Sequence, residues 1–191
     1  EEDGIDDGLS VLRLDGRNPG EMRSTRLTFG RTTTGRSECT VQLGSSTRVT
    51  CILTCELTPP NQPDMRPNDG MIRFNVDISP MACMGSEHGG GEKLVSNRIA
   101  RVVERTLKDG GAIDVESLCV VGGEWVWNLN VNITALDHGG NLVDASALAA
   151  IAALRHFRKP GVVIPDATDG GKPPPPVVLN SDDKEPTPLP L

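Results

Sequence analysis

Residues 124–136, EWVWNLNVNITAL, alternate strictly: Trp125, Trp127, Leu129, Val131 and Ile133 fall to one side, Asn128, Asn130 and Asn132 to the other. Side chains that point to opposite faces at successive residues make this one long strand, with an apolar face that must be covered and a polar face that need not be. A single strand has no independent stability, so the chain must supply a sheet beside it and apolar elements on top of it. Trp125 and Trp127 lie on the covered face, as core or subunit-interface residues rather than a platform for stacking bases.

Partners for that strand are found in the first half of the chain. RSTRLTFG, ECTVQLG and STRVTCILTCELT read as three strands separated by short Gly/Ser/Thr turns, with GMIRFNVDIS as a fourth after a Pro/Asn-rich loop. Connections this short predict an antiparallel meander. In the third strand Cys51, Leu53, Cys55 and Leu57 share one face, where a thiol packs as a small apolar group. The five cysteines, Cys39, Cys51, Cys55, Cys83 and Cys119, are odd in number and form no CxxC pair, which predicts reduced thiols in an intracellular protein.

Two helices are legible. In residues 92–111 the period of 3.6 places Val95, Ile99, Val102, Val103 and Thr106 on one face, and Gly110 and Gly111 end the pattern. The second begins near Asp144 and ends before Pro160; residues 145–154 carry no charge, which predicts a helix buried nearly all round. The Gly139–Gly140 turn ahead of it resembles a phosphate cradle, since glycines at a helix mouth expose N–H groups at the positive end of the dipole. Asn141, Leu142 and Val143 follow, with no cationic or hydroxyl side chain to hold an anion, and Asp144 is placed to cap the helix with its own carboxylate.

A net charge of -7 argues against a protein that coats nucleic acid by bulk electrostatics and leaves room only for local contacts. Candidates for such contacts are Arg66 and Arg73, which flank the RPNDGMIR loop, and Arg98, Arg101 and Arg105, which with Lys108 form a stripe along the first helix. That stripe reads as a solvated face paired with Glu92 and Glu104, as an RNA backbone contact, or as a salt-bridge seam between subunits. No nucleophile constellation, P-loop or GxGxxG placed between strand and helix is present, and His88, His138 and His156 show no metal-ligand spacing, so no catalytic residue, metal or cofactor is assigned. The Asn132 sequon is expected to be silent in an intracellular protein, and no apolar run is long enough to span a membrane. The acidic residues 1–12 are expected to form a loose arm, and residues 161–191 a Pro/Asp-rich extended segment; Asp6, Asp7, Asp182 and Asp183 belong to these solvated flanks.

RLDGRNPGEMRSTRLTFG followed by CTVQLGSSTRVTC resembles the entry signature of ribonuclease PH-like proteins, and NDGMIRFNVDISPMA, AIDVESLCVVGGEWVW and LDHGGNLVDASALAAIAALRHFRKP resemble the branch that forms ring subunits of the eukaryotic RNA exosome. The likeness runs from about residue 12 to 160, with a weaker echo at EPTPLPL. It implies an α+β ribonuclease PH fold (ribosomal protein S5 domain 2-like), with mixed sheets packed against helices, of which residues 13–160 are the first part. It further implies a non-catalytic subunit in a ring of related subunits that threads single-stranded RNA for 3′ to 5′ processing and degradation, ribosomal RNA included. The implied partners are the other ring subunits, cap proteins with S1 and KH domains, and a hydrolytic exoribonuclease; the implied locations are nucleus, nucleolus and cytoplasm. Active phosphorolytic relatives carry Thr-Arg after the Gly-Gly, where this chain has Asn141-Leu142, and a phosphate-binding Arg where it has Gly90, Gly91 and Glu92. The alternative, an active phosphorolytic exoribonuclease, requires anion grips elsewhere.

Overall fold

The computed structural model describes residues 12–13, 15–31, 33–60, 66, 68–83, 91–165, 176–179 and 186–191. The three expected strands form as β1 (Thr25–Phe29), β2 (Arg36–Leu43) and β3 (Thr47–Thr58), each antiparallel to the next. The fourth, β4 (Met71–Ile78), does not continue the meander. Instead β6 (Trp125–Asp137), the alternating strand, enters between them, antiparallel to β3 and parallel to β4, and β5 (Cys119–Val121) pairs with its start. The sheet order is β1-β2-β3-β6-β4. Loop length shows which strands are close in sequence, not which pair; the longest apolar strand takes an interior position, because only there are its covered face and both its edges satisfied.

A parallel pair needs a crossover, and α1 (Gly91–Glu104) supplies it between β4 and β6. Its buried face is Ser96, Ile99 and Val103, continued by Leu107 in the wider π-type turn Arg105–Asp109. The expected face shares Ile99 and Val103 with the buried one but is rotated from it: Val95 and Val102 are 42% and 41% exposed, and Thr106 is exposed, its hydroxyl donating to the Val102 carbonyl at 2.8 Å. Val95 and Val102 on one flank and Val103 on the other, equal in hydropathy, leave the phase of an amphipathic helix ambiguous; contact with β4 decides it.

The second helix, α2 (Leu142–His156), starts before Asp144. Its N-cap is Asn141, held in the left-handed region at φ 62°, and Asp144 sits in the first turn, where a carboxylate still favours the dipole. Ala145, Ala149, Ala150, Ala152 and Ala153 are buried on the sheet side, and these small side chains bring the helix close enough for buried Ser37 of β2 to donate its Oγ to the Ala153 carbonyl at 2.6 Å. The helix is not buried all round: Val143 and Ile151 are 36% and 39% exposed.

Both helices lie on one face of the sheet, because residues opposite each other in a ladder share a face. Phe29, Cys39, Cys51, Ile133 and Val76 form one such row across β1, β2, β3, β6 and β4, and Leu27, Val41 and Val49 belong to the next. Apart from the β1 end this face is buried, each large apolar side chain contributing about 1.5–3 kcal/mol. Trp127 is buried in this core and Trp125 is half-buried. The other face is polar, with Thr40 and Thr50 hydroxyls 3.0 Å apart and the Asn75 amide donating to Asn132 at 3.0 Å. It is only partly open, for Asn132 is exposed, Asn130 intermediate and Asn128 buried.

After α2 the chain makes short strand pairs. β7 (Arg158–Lys159) pairs with β10 (Thr187–Pro188), which seats Leu189 in the core, and β8 (Val162–Val163) pairs with β9 (Val177–Val178). The acidic N-terminal residues 1–11 and Asp182–Asp183 lie outside the described residues.

Candidate functional site

Arg66 and Arg73 are brought together. Both line a cleft of about 900 Å³ between the outer edge of β4 and the C-terminal end of the first helix, with Asn75, Lys108 and Glu104. Arg73 projects from the polar face of β4 because it is out of phase with buried Ile72 and Phe74, and Arg66 comes from the preceding loop. Lys108 Nζ is paired with Glu104 at 3.3 Å, and Asp69 and Asp109 also line the cleft, so three cations face three carboxylates. Such a wall binds a phosphate only through particular guanidinium contacts, not through a broad positive field.

Arg98, Arg101 and Arg105 do not enter this cleft. They stand exposed on the outer side of α1 and its π-type turn, beside Leu94, Val95 and Val102, which are also exposed. No carboxylate among the described residues pairs with the three arginines. The Glu104 carboxylate goes to Lys108, and the Glu92 side chain lies outside the described residues.

The Gly139–Gly140 turn is closed from inside the fold. Arg23, from the segment before β1, spreads its guanidinium over two main-chain carbonyls: Nη2 donates to Gly139 O at 2.9 Å and Nη1 to Gly140 O at 3.0 Å. Buried Thr47 donates its Oγ1 to Gly140 O at 2.9 Å and accepts the Gly139 N–H at 3.1 Å, while the Gly140 N–H donates to His138 Nδ1 at 3.1 Å. The glycine N–H groups an anion would need are therefore engaged, and a cation is held on the carbonyls instead. Leu142, at the position where the resemblance places a phosphate-gripping Arg, is 4% exposed in the core. Gly139 is close-packed too: a Cβ there would collide with the side chain of Ser46. Sequence reasoning missed Arg23 and Thr47 because no local pattern links them to a turn 116 and 92 residues away.

Burial pushes the Cys51 and Cys55 thiols up to about 12 and raises Cys39 and Cys119 as well. These four are free thiols, and the Cys83 side chain lies outside the described residues. Hydrogen bonding to Arg17 holds Asp15 below its ordinary value, and burial lowers Lys159, whose ammonium donates to the Ser117 carbonyl at 2.8 Å. No group of three metal-ligating side chains is found among the described residues, and no described helix is long and apolar enough to cross a membrane.

Comparison with known proteins places this geometry. Residues 21–160 match the model of the 3′ exoribonuclease family, domain 1. The chain is 45% identical over 152 residues to exosome complex component RRP45 of Danio rerio, covering 80% of this chain and 37% of that protein. It is 40% identical over 182 residues to exosome complex component RRP45B of Arabidopsis thaliana, covering 94% of this chain and 39% of that protein. A solved structure described as the Archaeoglobus fulgidus exosome with RNA bound to the active site superposes with a TM-score of 0.67 at 37% identity, over 78% of this chain and 57% of that one. The chain thus spans well under half the length of these two relatives.

Proposed function

This chain belongs to the ribonuclease PH-like 3′ exoribonuclease family, and from that membership we propose that it forms part of a non-catalytic ring subunit of an RNA exosome, contributing interface and one wall of the path for single-stranded RNA. The observation that carries the non-catalytic reading is Leu142. Phosphorolysis depends on positioning and neutralising the attacking phosphate, and here the residue expected to do so is an apolar side chain sealed in the core behind a turn already bound by Arg23 and Thr47. Arg66 and Arg73 supply a local phosphate contact on the β4 cleft, and Arg98, Arg101 and Arg105 a second basic surface on α1. In this reading the rest of the ring is built from related subunits, S1/KH-domain caps sit above it, a separate hydrolytic exoribonuclease acts on the emerging RNA, and the assembly works in nucleus, nucleolus and cytoplasm.

The test is native mass spectrometry of the full-length protein purified gently from its own cells, followed by an assay for phosphate-dependent release of nucleoside diphosphates from RNA. The expected result is a mixed assembly of several ribonuclease PH-like subunits, with no diphosphate release by this protein when it is assayed apart from the other subunits. A ring of this chain alone that releases diphosphates would replace the scaffold reading with the phosphorolytic one. Reversing Arg101 and Arg105 to Glu is expected to weaken RNA entry or ring assembly, and reversing Arg66 and Arg73 to weaken RNA retention with assembly intact. If both variants retain RNA and assemble normally, these arginines are a solvated surface.

A further inference from the structure

Three buried oxygens at the foot of β6 have no hydrogen-bond partner among the described residues: Thr58 Oγ1, Glu124 Oε2 and Asn128 Oδ1. They belong to one corner of the polar face. Thr58, which ends β3, stands opposite Val126, and Asn128 follows Val126 by two residues, so Thr58 and Asn128 are diagonal neighbours on one face. Glu124 precedes Val126 by two residues, at the close of the turn from β5, its N–H donating to the Val121 carbonyl at 3.0 Å. This corner is the closed part of that face: Val126 is fully buried, Met71 across from Asn128 is 7% exposed and Asn128 itself 6%, while Asn132 further along stands open.

Amide and carboxylate oxygens only accept, and a buried acceptor without a donor costs about 1–3 kcal/mol, more when it carries charge. The Thr58 hydroxyl, which can donate, bonds to neither of the other two. No ion pair to Glu124 is formed among the described residues. Further oxygens approach the same turn: the Asn68 side-chain oxygen packs against Gly122, and the Asp69 carboxylate, after burial, raises the nearby Cys119 thiol of β5. Buried charges in proteins are paired or coordinate a metal, and a set made only of oxygens suits a hard cation rather than zinc or iron. The corner falls short of three His, Cys, Asp or Glu side chains, so water completes the coordination and binding is weak.

We propose that Thr58, Glu124 and Asn128 bind a hydrated calcium ion, which ties the end of β3 to the start of β6. Ligands from two strands and a turn, on side chains of three lengths, suit the flexible shell of calcium better than the strict octahedron of magnesium. The ion satisfies all three oxygens at once and balances a carboxylate oxygen otherwise buried without a counter-charge. The three ligands lie outside both the cleft of Arg66 and Arg73 and the turn held by Arg23, so the site stands whether or not the chain belongs to a ring.

The test is calorimetric titration of Ca²⁺, and separately of Mg²⁺, into the whole chain after treatment with EDTA and dialysis. The expected result is a single class of Ca²⁺ site, one ion per chain, with a dissociation constant of about 0.1–1 mM and Mg²⁺ weaker by at least about threefold. Glu124→Gln keeps the shape and removes the charge, and is expected to weaken Ca²⁺ binding at least about tenfold. Asn128→Asp adds a carboxylate of equal size and is expected to tighten it at least about threefold, a gain that a misfolded variant cannot mimic. Glu56→Gln removes an exposed charge opposite Asn128 and should change binding by less than about twofold, which separates a site from general surface attraction. No saturable heat up to about 5 mM Ca²⁺ overturns the proposal and leaves ordered water as the partner of the three oxygens. Tighter binding of Mg²⁺, equal binding by the parent chain and Glu124→Gln, weaker binding by Asn128→Asp, or a loss with Glu56→Gln as large as with Glu124→Gln overturns it as well.

Discussion

Replacing Arg23 with Ala should loosen the joint between β6 and α2. The guanidinium makes two charge-assisted hydrogen bonds, 2.9 and 3.0 Å long, to the carbonyls of Gly139 and Gly140, and its side chain retains 25% of its exposure. A bond of this kind contributes about 1.5–3 kcal/mol, and partial exposure argues for the low end, so the loss is about 3 kcal/mol for the pair. Arg23→Lys, with one compact donor group in place of a fork, should lose about half of that. Thr47→Val removes a second donor from the same Gly140 oxygen, so the double variant should be worse than the sum of the singles by about 0.5–1 kcal/mol. Urea unfolding followed through the fluorescence of buried Trp127 measures all four variants against the parent chain. A loss below about 0.5 kcal/mol for Arg23→Ala, or equal losses for the Ala and Lys variants, would show that the two carbonyls are held by the backbone alone and that the fork is incidental.

The phase of the first helix has an equally direct test: Ile99→Ala should cost about 2–4 kcal/mol and Val102→Ala less than about 0.5, since only Ile99 is buried, and comparable losses would restore the rotated face. The buried thiols predict a pH dependence. A thiol whose folded-state pKa lies near 12 keeps its proton while the unfolded chain loses it above about 9, so fewer protons are bound in the unfolded state and stability falls as pH rises between those values, by about 1.4 kcal/mol per pH unit for each of Cys51 and Cys55. A flat unfolding free energy over that window, or fast labelling of both thiols at pH 8 in the native protein, contradicts their burial.

Strands and helices were legible where one residue's neighbours decide its side. The period of two in β6 and β3 identified covered residues such as Cys51, Leu53, Leu129 and Val131, and the period of 3.6 located both helices. Pairing was not legible, because alternation states that a strand has a partner and not which one, and β6 displaced β4 from the meander. The capping residue of α2 was misassigned for a related reason: Asp144 is the better cap by composition, yet the turn held by Arg23 and Thr47 forces Asn141 into the left-handed region and starts the helix there. At the arginines the sequence showed charge and spacing. Only the folded chain shows that Arg66 and Arg73 share a cleft with three carboxylates while Arg98, Arg101 and Arg105 point elsewhere.

The place of β6 also sets an order of events during synthesis. A ribosome delivers β1, β2 and β3 first, and these can close as neighbouring hairpins; β4 and α1 follow with no strand to join until residues 125–137 have emerged. Until then two strand edges that will later be buried stand open, one on β3 and one on β4, and the apolar faces of the same strands stand open with them. The last long strand to be made is thus the one that unites two half-sheets, and the pairing it completes joins residues as far apart as Arg48 and Asp137. Such late, long-range closure slows folding and lengthens the interval in which a nascent chain can pair with the wrong neighbour, so cells making this protein would be expected to guard the interval with a holdase or with prompt delivery to a partner.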